Sequence, residues 1–283
     1  MPPSNAKVRF AQFLFEEFLK MNRRVGLSLI LASSVLAGCG GGGGDSSSST
    51  PDSFVGIFKG TTGDSRTFVS MVLNDGTFYD FYSGVPTTSS TDAVGGVVVG
   101  TGSGSGGSFA SSNAYDYQVT TTGLSTGVAA STLSASYSTY ASMAGTFTHN
   151  TDGATNTFTS TYNSTLSTAT PSLTTIAGIY SGTVGTTAGG TENLSLIILP
   201  AGTVTGESAS GCFFSGTIAT HATNNAYDLS ITFAASTCTY NSIVMTGMGL
   251  YDSTASTLYG ATSKADKTAG ITFVVKKTST STS

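Results

Sequence analysis

Two glycine-rich stretches match patterns that carry chemistry. Gly123-Leu124-Ser125-Thr126-Gly127 fits G-x-S-x-G, the turn that lifts a nucleophilic serine between a parallel strand and a helix. Its base would have to be His149 or His221, the two histidines of the chain. The flanking residues alternate as antiparallel strands do, and a chain with 36 glycines and abundant serine meets this pattern by chance. Ser125 is therefore a remote candidate, as the nucleophile of a serine hydrolase. Gly102-Ser103-Gly104-Ser105-Gly106-Gly107 fits G-x-G-x-x-G, but a dinucleotide site needs a helix opening right behind it to receive the pyrophosphate. Here Ser108-Phe109-Ala110 leads into a strand, and the run reads as a loop. His149 stands beside Asn150 and Asp152 in a hairpin turn ending at Gly153, which places it in solvent. His221, near the Asn224 turn, reads the same way. One His and one Asp fall short of the three or four ligands zinc takes. No D-x-D-x-D-G loop offers a calcium site. Glu192 and Glu207, the two glutamates after residue 39, make no glycosidase pair. The expectation is a protein that is not an enzyme, with no catalytic residue, no cofactor and no metal site. Tyr79, Tyr82, Tyr115, Tyr117, Tyr137 and Tyr140 could form a contact platform, but barrel packing and strand propensity are the plainer explanation, and the absence of Trp weakens a carbohydrate platform. No ligand-binding residue is identifiable from the sequence.

The cysteines say more. Met21-Asn22-Arg23-Arg24 precedes an uncharged run from Val25 to Leu36, then Ala37, Gly38 and Cys39. A basic start, a short apolar run and small residues describe a secretory signal. The apolar run is shorter than the roughly 20 residues a bilayer-spanning helix needs. Leu36-Ala37-Gly38-Cys39 resembles the lipobox of bacterial lipoproteins. The resemblance implies cleavage before Cys39 and lipidation of its thiol, with diacylglycerol and, on the amine, an acyl chain such as palmitate. Three chains make a durable anchor. Gly40 stands where an Asp would favour the inner membrane, so the resemblance implies the outer membrane, with a periplasmic or surface-exposed body. Residues 1–20 are an odd prelude to a signal and read as a start assigned too early. Residues 40–51, five glycines, Asp45, a serine run, Thr50 and Pro51, read as a flexible tether. Cys212 and Cys238 are left, and two cysteines in an exported chain should pair as a disulfide.

Composition narrows the partners. Charged residues make up 9% of the chain, against about 25% in an average soluble domain. From Cys39 onward there are six Lys or Arg against thirteen Asp or Glu, a net charge of −7. No basic surface exists to attract nucleic acid. The partners expected are membrane lipid through Cys39 and either a small apolar ligand or a protein.

The elements that would position any site are strands. Tyr227, Leu229, Ile231 and Phe233 alternate with polar residues, as do Tyr115, Tyr117 and Val119, and Ile271, Phe273 and Val275; period two is the strand signature. Asn74-Asp75-Gly76 between apolar runs marks a hairpin. Val128 to Ala144, rich in Ala and Ser, is open between helix and strand. Val55-Gly56-Ile57-Phe58-Lys59-Gly60-Thr61 is similar to Ala177-Gly178-Ile179-Tyr180-Ser181-Gly182-Thr183, and Asn113-Ala114-Tyr115-Asp116 recurs as Asn225-Ala226-Tyr227-Asp228. Kept in order, these matches indicate an internal repeat of about 110 residues. The second copy divides into about eight strands, near 177–184, 191–199, 203–209, 212–220, 225–234, 242–250, 255–262 and 270–276. With Asn224-Asn225 as a hairpin tip, Cys212 and Cys238 face each other across the open end of that hairpin.

The fold expected is all-β: two tandem antiparallel barrels of about eight strands each, a β-sandwich being the second choice. The domains are 1–20, a mis-assigned start; 21–38, signal peptide; 39–52, tether; 53–163, first β-domain; 164–175, linker; 176–278, second β-domain; and 279–283, a tail. Gly56-Ile57-Phe58 and Gly178-Ile179-Tyr180 are similar to the G-x-W opening of lipocalin-type barrels, with Phe or Tyr in place of Trp. The composition resembles the Gly/Ser/Thr-rich barrels of surface lipoproteins such as transferrin-binding proteins. No binding residue carries over from either. The function expected is a non-catalytic, outer-membrane-anchored lipoprotein that binds a ligand or a surface partner. A structural envelope protein with filled barrels is the alternative. A cavity lined by Tyr and Phe would favour binding, and a filled interior the structural role.

Overall fold

A computed structural model describes residues 53–86, 93–119, 127–234 and 236–280. Its first half runs β1 (Gly56–Thr62), β2 (Thr67–Val72), β3 (Thr77–Tyr82), β4 (Gly96–Thr101), β5 (Ser103–Ser105), β6 (Ser108–Gln118), β7 (Val128–Ser138), β8 (Ser142–His149) and β9 (Thr155–Tyr162). Every neighbour is antiparallel. The sheet closes through the pairing of β4 with β6, leaving eight strands in the ring and β5 as a short flap on β6. Two short helices follow, α1 (Ser164–Ser167) and α2 (Leu173–Ile176). The second half is a closed barrel of eight consecutive strands: β10 (Gly178–Thr186), β11 (Thr191–Ile198), β12 (Thr203–Ser208), β13 (Phe213–Thr220), β14 (Tyr227–Phe233), β15 (Val244–Asp252), β16 (Thr257–Ser263) and β17 (Gly270–Ser279).

Local sequence explains most of these elements. The Asn74-Asp75-Gly76 turn joins β2 to β3, with Gly76 at φ 81° and its N–H donating to the Leu73 carbonyl. The segment open between helix and strand becomes β7 and β8, because Ala129, Ser131, Leu133, Ala135 and Tyr137 alternate into the interior. The glycine run 102–107 forms the β5–β6 hairpin, whose two turn residues, Gly106 and Gly107, both have positive φ. A strand follows it, not a helix. The β13–β14 hairpin departs from expectation by one position. Thr220 faces Tyr227 and Phe214 faces Phe233, so the tip is Thr223-Asn224, with Asn224 at φ 63°. The ladder ends at Phe233. The chain beyond it folds back in a turn, bringing Cys238 to Cys212 in a disulfide with Cα atoms 4.7 Å apart. The repeated segments take equivalent places: both Gly-Ile-aromatic motifs open the first strand of a barrel, and both Asn-Ala-Tyr-Asp motifs reach into the fifth strand of the ring.

The second barrel is filled and closed at both ends. Tyr180, Leu196, Val204, Ile218, Leu229, Ile231, Phe273 and Val275 pack its interior. Leu173 and Ile176 plug one end. There the Tyr180 hydroxyl donates to the Ile176 carbonyl, and Tyr227 accepts from the Ser172 N–H. At the other end the disulfide holds Tyr240 and Ile243 against the same core.

The first barrel has its own interior, with Phe58, Phe68, Phe78, Val98, Leu133, Met143, Phe147 and Phe158. Phe54 caps one end, its ring 4.9 Å from that of Phe109. The strands β2 and β3 are buried on both faces, which is why Phe68–Leu73 and Phe78–Tyr82 are nearly continuous apolar runs. Their outer residues Val69, Met71, Tyr79 and Phe81, with Ile57, Val97 and Tyr117, pack on Met248, Leu250 and Ala261 of the second barrel. Lys59 pairs across this seam with Asp252, which is fully buried. Burial works against the Asp252 charge, but bonds from Lys59, Thr254 and Ala255 hold its carboxyl below the usual range. Elsewhere the outer walls carry mostly small hydroxyls, such as Thr157, Thr159 and Thr161 on β9 and Ser215 and Thr217 on β13, interrupted by exposed Ile179, Ile197, Phe213 and Val244. That is the reverse of a membrane barrel, whose apolar residues face outward. Among the described residues no helix is long and apolar enough to cross a membrane.

Candidate functional site

The end of the first barrel opposite Phe54 is open. Strands β1, β3, β6 and β8 finish there, and β2, β4, β7 and β9 begin there. Between them lies a cavity of about 170 Å3, lined by Arg66, Tyr82, Val98, Asp116, Gln118, Phe147, His149 and Asn156, among others. Each interior side chain follows from strand alternation: Tyr82 lies two residues beyond interior Asp80, Asp116 two beyond Ala114, and His149 two beyond Phe147.

Asp116 is the hub. It is 6% exposed. Its Oδ1 accepts from the Tyr82 hydroxyl at 2.6 Å, and its Oδ2 from Gln118 Nε2 at 2.8 Å and His149 Nε2 at 2.9 Å. The bond to Asp116 raises the His149 pKa above its ordinary value, against the opposing pull of burial. Burial and the Asp116 charge push the Tyr82 phenol well up. At the rim, Arg66 Nε donates to Asp64 Oδ2 at 2.7 Å, and its guanidinium carbon lies 5.2 Å from the Tyr82 ring centre. Asp64 also accepts from Thr62 and Asn156. Burial opposes its ionisation, but these three bonds hold its carboxyl below the usual range.

His149 is where the structure corrects the sequence reading. It closes β8 rather than sitting in the turn, and its side chain is 13% exposed and turned inward. A turn assignment one residue too early put it in solvent. The signal for the site was present in the period-two register of residues 114–118 and 145–149, which aims Asp116 and His149 to the same interior. The second ring nitrogen, Nδ1, is buried without a hydrogen-bond partner among the described residues, 3.8 Å from Asp152. His221 lies on the second barrel's surface, paired with exposed Asp228 at 2.9 Å. Cys39 and Ser125 lie outside the described residues. Among the described residues no group of three or more His, Cys, Asp or Glu could hold a metal ion.

Two other depressions are less convergent. One, of about 320 Å3, lies on the outer wall of the second barrel between Ile197 and Phe213, with Glu207 as its charged group. The other, of about 210 Å3, lies beside Tyr115 and Lys267, whose ammonium sits 4.6 Å from the Tyr115 ring centre.

No family model matches the chain, and no curated protein matches it. Among solved structures, a candidate outer membrane protein from Bacteroides fragilis NCTC 9343 aligns over 78% of this chain and 95% of its own, with 13% identity and a TM-score of 0.25. At that score the likeness adds nothing to the reading of the site.

Proposed function

We propose that this chain is a lipid-anchored protein of the cell envelope whose first barrel holds a small molecule at its mouth without transforming it. The observation that carries this reading is the contrast between the barrels. The second is packed solid and plugged at both ends, so it serves as a rigid partner. The first is plugged at one end and opens at the other into a cavity lined by converging polar groups. A concave site with a few placed polar groups is the usual form of a small-molecule site.

The non-catalytic part rests on His149. Its one hydrogen-bonded nitrogen is spent on Asp116 and the other is buried, which supports the non-catalytic reading. The anchor rests on Leu36-Ala37-Gly38-Cys39 and the tether after it. Walls of serine and threonine suit a body standing in water beyond the bilayer, and the outer membrane is the proposed location. The filled second barrel favours, as a second reading, a purely structural envelope protein.

Two experiments test this. Cys39→Ser should move the full-length protein from the membrane to the soluble fraction, and unchanged membrane association would refute the anchor. A small-fragment screen followed by amide NMR should shift Gln118, His149 and Asn156. Signals that stay fixed across the screen would leave the structural reading in possession.

A further inference from the structure

The bonds already made at this mouth restrict what can enter it. Asp116 is occupied by three donors, so a cationic head would have to displace one of them. Asp64 is likewise engaged, by Thr62, Arg66 and Asn156. Arg66 is different. Only its Nε is bonded to Asp64, and among the described residues its two terminal nitrogens have no hydrogen-bond partner, although the side chain is only 18% exposed. A guanidinium edge with two parallel donors matches a carboxylate, and such charge-assisted pairs are about twice as strong as neutral hydrogen bonds. The cavity's other wall is apolar, made by Val98, Phe147 and Ala154.

We infer that the mouth of the first barrel takes a small organic carboxylate, its head on the outer edge of Arg66 and its apolar part against Val98 and Phe147. This rests on the holding role proposed above. The cavity, at about 170 Å3, lies below the range of drug-sized pockets, which sets the ligand at roughly ten non-hydrogen atoms or fewer. An aromatic acid of the size of benzoate fills that description.

The test is calorimetric titration of the full-length protein in detergent with benzoate, with benzamide as its uncharged counterpart and with glucose as a neutral polyol. Benzoate should bind at least tenfold more tightly than either. Arg66→Gln should weaken benzoate at least tenfold, and Arg66→Lys by less, since charge survives but the paired donors do not. Ala154→Asp puts a carboxylate on the cavity wall and should weaken benzoate by more than it weakens benzamide. Benzamide or glucose binding as tightly as benzoate would overturn the carboxylate assignment and leave the holding role intact. Silence from all three would overturn the carboxylate assignment, and silence from the fragment screen as well would remove the holding role itself.

Discussion

Replacing Asp80 with Asn should stabilise this protein, and by an amount that depends on pH. Asp80 sits inside the first barrel, one register row across from Val98 and Asp116, and is 2% exposed. Its Oδ1 has no hydrogen-bond partner among the described residues. Burial pushes its carboxyl up to about 7, against the opposing bond from Ser70. Between the ordinary 3.8 and about 7 the folded state keeps a proton that the unfolded chain has released, so stability falls as pH rises across that window. Three units at about 1.36 kcal/mol each make a cost of roughly 4 kcal/mol once the pH is above 7. Asn is isosteric, uncharged and still able to accept from Ser70, so it escapes this cost. Its advantage over Asp should therefore grow by about 3 kcal/mol between pH 5 and pH 8. Urea unfolding of both proteins at the two pH values reads this directly, as a difference in midpoint at constant slope. A gain that does not change with pH, or an Asn variant less stable than the parent at pH 8, would show that Asp80 is not a buried acid without adequate partners.

Two further outcomes follow from named contacts. Asp116→Ala removes the acceptor for Tyr82, Gln118 and His149 together and should cost about 2–4 kcal/mol, since these donors sit at a mouth that water reaches in part; an unchanged urea midpoint would refute the hub role. Peptide mapping without reduction should recover Cys212 linked to Cys238. Reducing that bond should destabilise the protein by about 3.5 kcal/mol, from the freedom regained by the loop it closes. Finding both thiols free to alkylate before reduction would contradict it.

The contrast between the two barrels has a physical origin in where their polar residues point. In the second, the inward positions of β11, Leu194, Leu196 and Ile198, carry no polar atom, and dense apolar packing follows. In the first, the inward positions include Ser70, Asp80, Asp116, Ser131 and Ser160. Ser131 and Ser160 donate to nearby backbone carbonyls, whereas Asp116, at the open end, gathers Tyr82, Gln118 and His149 around it. The same alternation that fills one barrel therefore hollows the mouth of the other.

Local pattern was enough to determine the all-β class, the hairpin turns and the strands of the second half, because side-chain alternation and turn chemistry act over a few residues. It marked Cys212 and Cys238 as partners, although the ladder between them ends earlier than a simple hairpin would have it. Tertiary structure alone decided that β2 and β3 are buried on both faces, since only contact with the second barrel covers Met71 and Phe81. It alone assembled the mouth, whose Arg66, Tyr82, Asp116, His149 and Asn156 come from separate segments. Closing a sheet into a ring brings strand ends together at distances that no short-range signal encodes. A shift of one residue at the end of β8 separates a histidine in solvent from one bonded inside the barrel.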